Sequence, residues 1–204
     1  MKATTKLREL LGGDGIVAAP GAYDCLIARI IEREGFPAVY MTGAGTSLSR
    51  IGYPDLGLAT ASEMLANAGA IAASVGVPVI ADADTGYGDV LNVQRTVRQY
   101  EQAGVAAMHI EDQAFPKRCG HLDDKQVVPA DDMVRKIRAA VEARTDDDFV
   151  IIARTDALAV TGWDDTMRRA EAYVRAGADM LFVEAVRTPE QAEAAATAGG
   201  GGGR

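Results

Sequence analysis

Short apolar runs alternate with longer amphipathic stretches along most of the chain, and each run ends at a polar or glycine-rich turn. This pattern is typical of buried strands that are each followed by a helix. Strands are predicted over 16–19, 38–41, 77–81, 105–110, 149–153 and 180–183. Helices are predicted over 25–34, 62–74, 90–103, 130–144, 164–176 and 188–196. Alternation of this kind predicts βαβ units with right-handed crossovers, and hence a parallel α/β sheet.

Two parallel architectures remain, an open doubly wound sheet and a (β/α)8 TIM-type barrel. Polar residues follow most of the apolar runs: Thr42, Asp82 with Asp84, Glu111 with Asp112, Arg154 with Asp156, and Glu184. In an open sheet, only the strands beside the switch point direct their carboxyl ends at one ligand. All the strands of a barrel do so. The barrel is therefore favoured.

The length of the chain sets a limit on this barrel. The 204 residues hold six predicted βα units, whereas a closed barrel has eight strands and typically about 250 residues. The last seven residues are Ala-Gly-Gly-Gly-Gly-Gly-Arg, a composition typical of a flexible segment. We therefore expect an incomplete barrel domain over 1–197, a glycine-rich flexible tail over 198–204, and a barrel truncated at its C-terminal end.

Composition narrows the class of protein. Apolar residues make up 48% of the chain and charged residues 25%, as expected of a soluble globular domain. A net charge of −8 argues against general binding to nucleic acid or to anionic membranes. No apolar run has the length of a transmembrane helix, and the first residues lack the apolar core of a secretory signal. We expect a cytoplasmic protein.

The loop after the fourth run contains a cysteine among cationic residues. Cys119 is close in sequence to Lys117, Arg118 and His121, and neighbouring positive charge stabilises a thiolate. The alternative is an inert cysteine that fills space in the interior. The other cysteine, Cys25, is distant in sequence, so no disulfide framework is predicted.

Two carboxylates at the end of the third run indicate a cation site. Asp82 and Asp84 are two residues apart, so in an extended chain they share a face. Hard oxygen ligands of this kind suit Mg2+, which keeps several of its waters. Glu111, at the end of the next run, strengthens the hypothesis, whereas capping of the following turn is the alternative. A zinc site at Cys119 and His121 is disfavoured because no further Cys or His has ligand spacing.

Two glycine-containing segments have weaker interpretations. The Gly-Tyr-Gly at 86–88 lacks the third glycine of a dinucleotide-binding loop. The Thr-Gly-Ala-Gly-Thr-Ser at 42–47 is either a cradle of backbone N–H groups for a carboxylate or an ordinary tight turn.

Trp163 is assigned to packing, and the charged residues of the same helical stretch are assigned to its solvated face: Arg168, Arg169 and Glu171.

Arg154 ends an otherwise apolar run. A guanidinium in that position needs a carboxylate partner, which the substrate, Glu184 or Asp156 can provide. His109 lies inside the fourth run, and we interpret it as a core histidine rather than a catalyst.

Five segments together resemble the isocitrate lyase/phosphoenolpyruvate mutase superfamily, and the match is collinear from about residue 5 to residue 187. They are Gly-Tyr-Pro-Asp-Leu-Gly at 52–57, Asp-Ala-Asp-Thr-Gly-Tyr-Gly at 82–88, Ile-Glu-Asp-Gln at 110–113, Lys-Arg-Cys-Gly-His at 117–121 and Ile-Ala-Arg-Thr-Asp-Ala at 152–157. Within the superfamily, the chain is most similar to the dimethylmalate and methylisocitrate lyases. Relatives have eight strands and form homotetramers that exchange a C-terminal helix.

The resemblance implies Mg2+-dependent cleavage of a carbon–carbon bond in a 2-hydroxy di- or tricarboxylate, with Mn2+ as an alternative ion. It assigns the metal to Asp82, Asp84 and Glu111. It assigns substrate binding to Thr42, Gly43, Ala44, Asp55, Gly120, Arg154 and Glu184. It assigns catalysis to Cys119, Lys117, His121 and Tyr40, with Cys119 as the acid that protonates the departing enolate.

The cysteine motif favours a lyase, because the superfamily's phosphoenolpyruvate mutases lack it. Alternatives within the superfamily are a phosphonopyruvate or carboxyphosphonoenolpyruvate mutase and an oxaloacetate-processing enzyme. The alternative outside enzyme function is an inactive fragment. The expected partner is a small carboxylate substrate.

Overall fold

The computed structural model describes residues 1–199, which form one parallel sheet with helices between the strands. The strands are β1 Gly21–Ala22, β2 Val39–Met41, β3 Val79–Asp82, β4 Ala107–Glu111, β5 Val150–Thr155 and β6 Met180–Val183. The helices are α1 Ala3–Leu11, α2 Cys25–Arg33, α3 Gly43–Ile51, α4 Ala61–Ser74, α5 Val90–Gln102, α6 Ala130–Ala143, α7 Ala157–Val160, α8 Trp163–Arg175 and α9 Pro189–Gly199.

The strand order distinguishes the two architectures. The strands pair in the order of the chain, from β1 to β6, and every pairing is parallel. A doubly wound sheet reverses its order at a switch point, and no reversal occurs among the described strands. The prediction of a barrel-type α/β fold with six βα units is confirmed.

The two most deeply buried strands, β4 and β5, are neighbours in the sheet. Every residue of β4 and β5 is buried, which is why both segments are nearly continuous apolar runs in the sequence. One core cluster lies between the sheet and its helices. A smaller one lies on the other face, where Leu7 of α1 packs against Ala106, Val150 and Ile152. No helix among the described residues has the length and apolarity needed to cross a bilayer.

The position predicted for the first strand was wrong. Residues 16–19 precede the sheet, and Ile16 is 99% exposed. Pairing begins at Pro20, whose carbonyl accepts a hydrogen bond from Tyr40 N (3.0 Å), and Gly21 then aligns with Tyr40. β1 is short and has small side chains, so its sequence is less apolar than the run that precedes it.

Three helices were not predicted, and α3 replaces a predicted turn. The Thr42 side chain caps α3 by accepting a hydrogen bond from Gly45 N at 3.3 Å. Glycine and serine have low helix propensity, so the sequence does not indicate this helix.

At the other end of the chain, α9 includes the first two residues of the predicted flexible tail. Residues 200–204 of that tail lie outside the described part of the chain.

Candidate active site

A cavity of about 170 Å3, here called the site cavity, lies at the carboxyl ends of the strands. Its lining residues come from five strands or the loops that follow them: Tyr40, Thr42, Ala44, Asp55, Asp82, Glu111, Lys117, Cys119, Gly120, His121, Arg154, Phe182 and Glu184. Every site residue predicted from the sequence lines this cavity except Gly43 and Asp84. Parallel strands that follow one another around the sheet bring these distant segments together.

Asp82 ends β3 and is held by two backbone amides. Gly43 N donates to its Oδ2 at 3.1 Å, and Asp84 N donates to its Oδ1 at 2.9 Å. A side chain at Gly43 would collide with this carboxylate. Gly43 therefore brings the positive N-terminal end of α3 against the Asp82 charge, and its amide is already occupied.

Tyr40 and His109 form a pair beneath the cavity. The Tyr40 hydroxyl lies 2.8 Å from His109 Nε2, and their rings are stacked with centroids 5.7 Å apart. Burial, followed by the charge of Asp82, raises the pKa of Tyr40, so the side chain stays a phenol. His109 is buried and does not line the cavity, so it orients Tyr40 from behind.

The charge balance around Asp82 depends on the state of His109. Burial raises the pKa of Asp82, but cationic His109, Lys117 and Arg154 lower it to about 2. Burial lowers the pKa of His109 to about 4. At neutral pH, His109 is therefore uncharged, and Lys117 and Arg154 balance the Asp82 carboxylate.

Lys117 forms a bridge between two carboxylates from different loops. Its Nζ lies 2.6 Å from Asp55 Oδ1 and 2.5 Å from Asp84 Oδ1. Burial lowers the pKa of Lys117, but Asp84, Asp82 and Glu111 outweigh it and raise the pKa. Lys117 is therefore a buried ammonium in an acidic environment.

Arg154 reaches three carboxylates on neighbouring strand ends. Its guanidinium donates to both oxygens of Asp156, at 3.0 and 3.1 Å. It also lies 3.3 Å from Glu111 Oε2 and 3.4 Å from Glu184 Oε2. Arg154 Cζ lies 5.0 Å from the ring centroid of Phe182, a cation–π contact. The guanidinium is thus fixed at the cavity wall, as a fork that recognises a carboxylate requires.

The loop that carries Cys119 is fastened to both sides of the cavity. Cys119 N donates to Asp55 O at 2.9 Å. The Gln113 side chain exchanges hydrogen bonds of 2.8 and 2.9 Å with the Arg118 backbone. A Cβ at Gly120 would come within 2.5 Å of Arg154 Nη2, so the backbone here rests directly on the guanidinium.

The surroundings of the Asp84 and Glu111 carboxylates test whether a cation fits beside them. Glu111 Oε1 is buried and accepts no hydrogen bond from any described residue, whereas Asp84 Oδ1 is buried against the Lys117 ammonium. Burial, then Asp82, raises the pKa of Asp84 to about 7, and burial raises that of Glu111. A cation beside these groups would offset the cost of their negative charge.

The geometry of these carboxylates suits a hydrated ion. Among residues 1–199, no three Asp, Glu, His or Cys side chains converge closely enough to hold a metal on their own. Mg2+ commonly binds one or two carboxylates and keeps several waters. Asp82, Asp84 and Glu111 fit an ion bound in that way, and they do not form a closed cage.

Two supporting residues were not predicted from the sequence. Phe182 lies under Arg154, and Lys125 donates to Gly120 O and lies 3.7 Å from Asp156 Oδ1. Phe182 has no distinguishing signal within its apolar run. Lys125 is an apparently ordinary loop lysine that proves to be buried.

The assignment of Arg169 to a solvated helix face was wrong. Arg169 is 7% exposed, and its Nη1 lies 3.2 Å from Asp112 Oδ2. Asp112 also accepts hydrogen bonds from Thr155 Oγ1 (2.7 Å), Asp156 N (2.9 Å) and Tyr173 OH (2.7 Å). This network ties α8 to the ends of β4 and β5.

Comparison with known proteins gives concordant results. The phosphoenolpyruvate phosphomutase family model matches residues 7–201. The chain is 52% identical to 2,3-dimethylmalate lyase of Eubacterium barkeri, over 94% of this chain and 66% of the relative. It is 50% identical to 2-methylisocitrate lyase of Aeropyrum pernix, over 91% of this chain and 59% of the relative.

Solved structures agree. A crystal structure of 2,3-dimethylmalate lyase superposes with a TM-score of 0.94 at 48% identity, covering 98% of this chain and 68% of that one. The structure of oxaloacetate acetylhydrolase in complex with 3,3-difluorooxalacetate superposes with a TM-score of 0.93 at 48% identity. This match covers 97% of this chain and 68% of that one. The structure of phosphonopyruvate hydrolase with oxalate and Mg2+ superposes with a TM-score of 0.88 at 37% identity. This match covers 98% of this chain and 70% of that one.

These matches extend along nearly the whole of this chain, while the chain spans 66% and 59% of the length of the two curated relatives. The chain belongs to the PEP mutase/isocitrate lyase superfamily.

Proposed function

We propose that this chain carries the active site of a Mg2+-dependent carbon–carbon lyase. Its substrate is a 2-hydroxy di- or tricarboxylate of the 2,3-dimethylmalate or 2-methylisocitrate type. The products are an α-keto acid such as pyruvate and a second carboxylate. The observation that carries the proposal is a single small cavity that combines the Arg154 guanidinium, the Cys119 thiol and strand-end carboxylates. Identity of 52% to 2,3-dimethylmalate lyase supports the same class.

The metal belongs with the carboxylates of the third and fourth strands. Asp82, Asp84 and Glu111 hold it, directly or through water. When bound, Mg2+ stabilises negative charge that develops on substrate oxygens. Mn2+, which takes similar oxygen ligands, is the alternative ion.

The remaining residues bind and orient the substrate. Thr42 and Ala44, at the start of α3, line the part of the cavity that takes the keto-acid end, and Gly43 supports this part by holding Asp82 in place. Tyr40, held as a phenol by its raised pKa, donates a hydrogen bond to the substrate hydroxyl oxygen. Arg154 binds a carboxylate bidentately.

Two acidic residues fix the positive groups of the site. Glu184 orients Arg154 from the end of β6, at 3.4 Å. Asp55 holds the Lys117 ammonium at 2.6 Å. The positive groups are therefore preorganised for the charge of the transition state, which is the arrangement that lowers a barrier most effectively.

The enolate fragment needs a proton at carbon after the bond breaks. Cys119 lines the cavity and is the proton donor, and Lys117 and His121 flank it on the same loop. Gly120 lets this loop approach Arg154. The loop thus excludes water from an intermediate that water would otherwise protonate.

A second candidate is hydrolysis of oxaloacetate. Its specific support is the 48% identity and TM-score of 0.93 to oxaloacetate acetylhydrolase. This reaction also breaks a carbon–carbon bond beside a carboxylate, and the same cation and arginine would stabilise the charge. The two candidates differ in whether water enters the reaction.

The 204-residue chain would be incubated with Mg2+ and a panel of substrates: 2,3-dimethylmalate, 2-methylisocitrate, oxaloacetate and phosphonopyruvate. Pyruvate formation from a 2-alkyl-2-hydroxy acid supports the lyase, whereas oxalate from oxaloacetate alone supports the hydrolase. No turnover of any substrate, together with a broad non-cooperative thermal transition, would identify an inactive fragment.

A further inference from the structure

A second cavity, of about 590 Å3, lies beside the site cavity. Its walls are formed largely by the side chains of Leu58, Tyr87, Phe115 and Val128, together with small residues at the start of α4. A volume of this size is in the range of small-molecule sites, which are typically mostly apolar with a few polar groups. This cavity can therefore accommodate an apolar body larger than anything the site cavity holds.

Lys136 provides a charged group within these walls. Its side chain is half-buried, and its Nζ donates to Thr85 O at 3.0 Å. An ammonium has three donors, and Lys136 takes part in none of the ion pairs found within residues 1–199. Burial lowers its pKa, and more distant Asp89 and Asp132 offset this only in part. The ammonium is thus incompletely compensated.

The other charged side chains of the second cavity already have partners. These are Arg135 with Asp132 at 2.9 Å, Lys117 with Asp84 at 2.5 Å, and Asp89, which accepts from Val90 N at 2.8 Å. The three carboxylates would repel a dianion such as a phosphate monoester. A monoanion matches the single ammonium that retains free donors.

We propose that the second cavity binds a small monocarboxylate with an aliphatic or aromatic body. The carboxylate lies on Lys136, and the body lies against Tyr87 and Phe115. This ligand is distinct in size and charge from the small polycarboxylate of the site cavity. Lys117 is the one described residue that lines both cavities, so its side chain forms the wall between the two ligands.

Titration calorimetry with 4-phenylbutyrate and octanoate tests the site. Both probes should bind the wild-type chain, and Lys136→Met should weaken binding at least about tenfold, because a hydrogen bond to a charged group is lost. Lys6→Met is the matched control. Lys6 also donates to a backbone carbonyl, Gly76 O at 3.2 Å, but it does not line the second cavity. Binding to this variant should be unchanged.

A second variant tests the apolar wall independently of Lys136. Phe115 is 74% exposed, so Phe115→Ala should fold normally and should weaken 4-phenylbutyrate more than octanoate. Each titration would be repeated with Mg2+ and saturating oxalate, which should leave probe binding in place.

Three results would overturn the proposal. The first is equal affinity in wild type and Lys136→Met, and the second is the absence of heat with both probes up to about 10 mM, well into the range of weak binding. The third is displacement of the probes by oxalate, because they would then occupy the site cavity.

Discussion

Asp112 and Arg169 form a buried ion pair, with 3.2 Å between Asp112 Oδ2 and Arg169 Nη1, that joins the end of β4 to α8. Asp112 also receives the Asp156 backbone amide at 2.9 Å. Since Asp156 binds Arg154 through both oxygens, the position of the site guanidinium depends on a network that reaches the outer helical layer.

Asp112→Asn should therefore destabilise the fold strongly. Removing one partner of a buried, hydrogen-bonded ion pair typically costs about 3–5 kcal/mol, because the other charge is left uncompensated. Urea denaturation measures the change in the free energy of unfolding. Glu171→Gln, which removes the exposed pair of Glu171 with Arg175 on the same helix, should cost under about 1 kcal/mol. Equal effects of the two substitutions would contradict a structural role for Asp112.

Gly43→Ala should distort the start of α3. The added Cβ would meet the Asp82 carboxylate, and overpacking of a filled site costs about 1–3 kcal/mol of stability. Gly15→Ala is the control, because nothing lies within 4 Å of a Cβ there. Thermal melts compare the two, and a Gly43→Ala melt matching that of the control would show that α3 can move away at no cost.

Arg154→Lys should weaken oxalate binding in the presence of Mg2+ by at least about tenfold. Lysine keeps the charge but loses the planar fork that binds carboxylates bidentately. Calorimetric titration with oxalate measures the effect, with Arg175→Lys at an exposed position as the control. Unchanged affinity would remove Arg154 from the proposed carboxylate site.

Cys119→Ser should lower turnover of the active substrate by about 10²–10⁴-fold, the usual contribution of a positioned general acid. Cys25→Ser is matched in chemistry, since both cysteines are free and partly buried, but Cys25 does not line the site cavity. Steady-state kinetics compare the two variants. Turnover that survives Cys119→Ser unchanged would exclude the thiol as the proton donor.

Asp165 should contribute to the loss of folding stability at acidic pH. Burial raises its pKa, but Thr161, Arg169 and Arg168 outweigh burial and lower the pKa to about 2. A pKa lowered on folding means that stabilisation is present above the ordinary aspartate pKa of about 4 and is lost as pH falls toward 2.

Measurement of unfolding free energies between pH 5 and pH 2 tests this contribution. The difference in unfolding free energy between wild type and Asp165→Asn should decrease as the pH falls from 5 to 2. Asp164→Asn, a change in the exposed neighbouring carboxylate, should show a smaller dependence. An advantage independent of pH would mean that Asp165 stabilises the fold through its shape alone.

The sequence was most informative where burial alone determines which residues a segment can contain. Strands such as β5 are buried on both faces, so their apolar runs are unmistakable, and a charged residue such as Arg154 at their end stands out. The resemblance to known motifs then identified nearly the whole lining of the site cavity.

Features that depend on packing across the fold were not predictable in this way. Arg169 is on a helix rich in charge, and nothing local shows that its partner, Asp112, approaches from a strand 57 positions away. Phe182 is one apolar residue among several, and only the sheet register places it opposite Arg154. The first strand was misplaced because β1 contains only Gly21 and Ala22.

In the proposed lyase, the hydrogen bond from Cys119 N to Asp55 O has a kinetic consequence. It joins the proposed proton donor to the segment that also supplies a partner for Lys117. For products to leave by this side of the cavity, both segments must separate, which releases the Lys117 ammonium and withdraws the thiol together. The rate of that separation is an upper limit on turnover by this route, whatever the speed of bond cleavage.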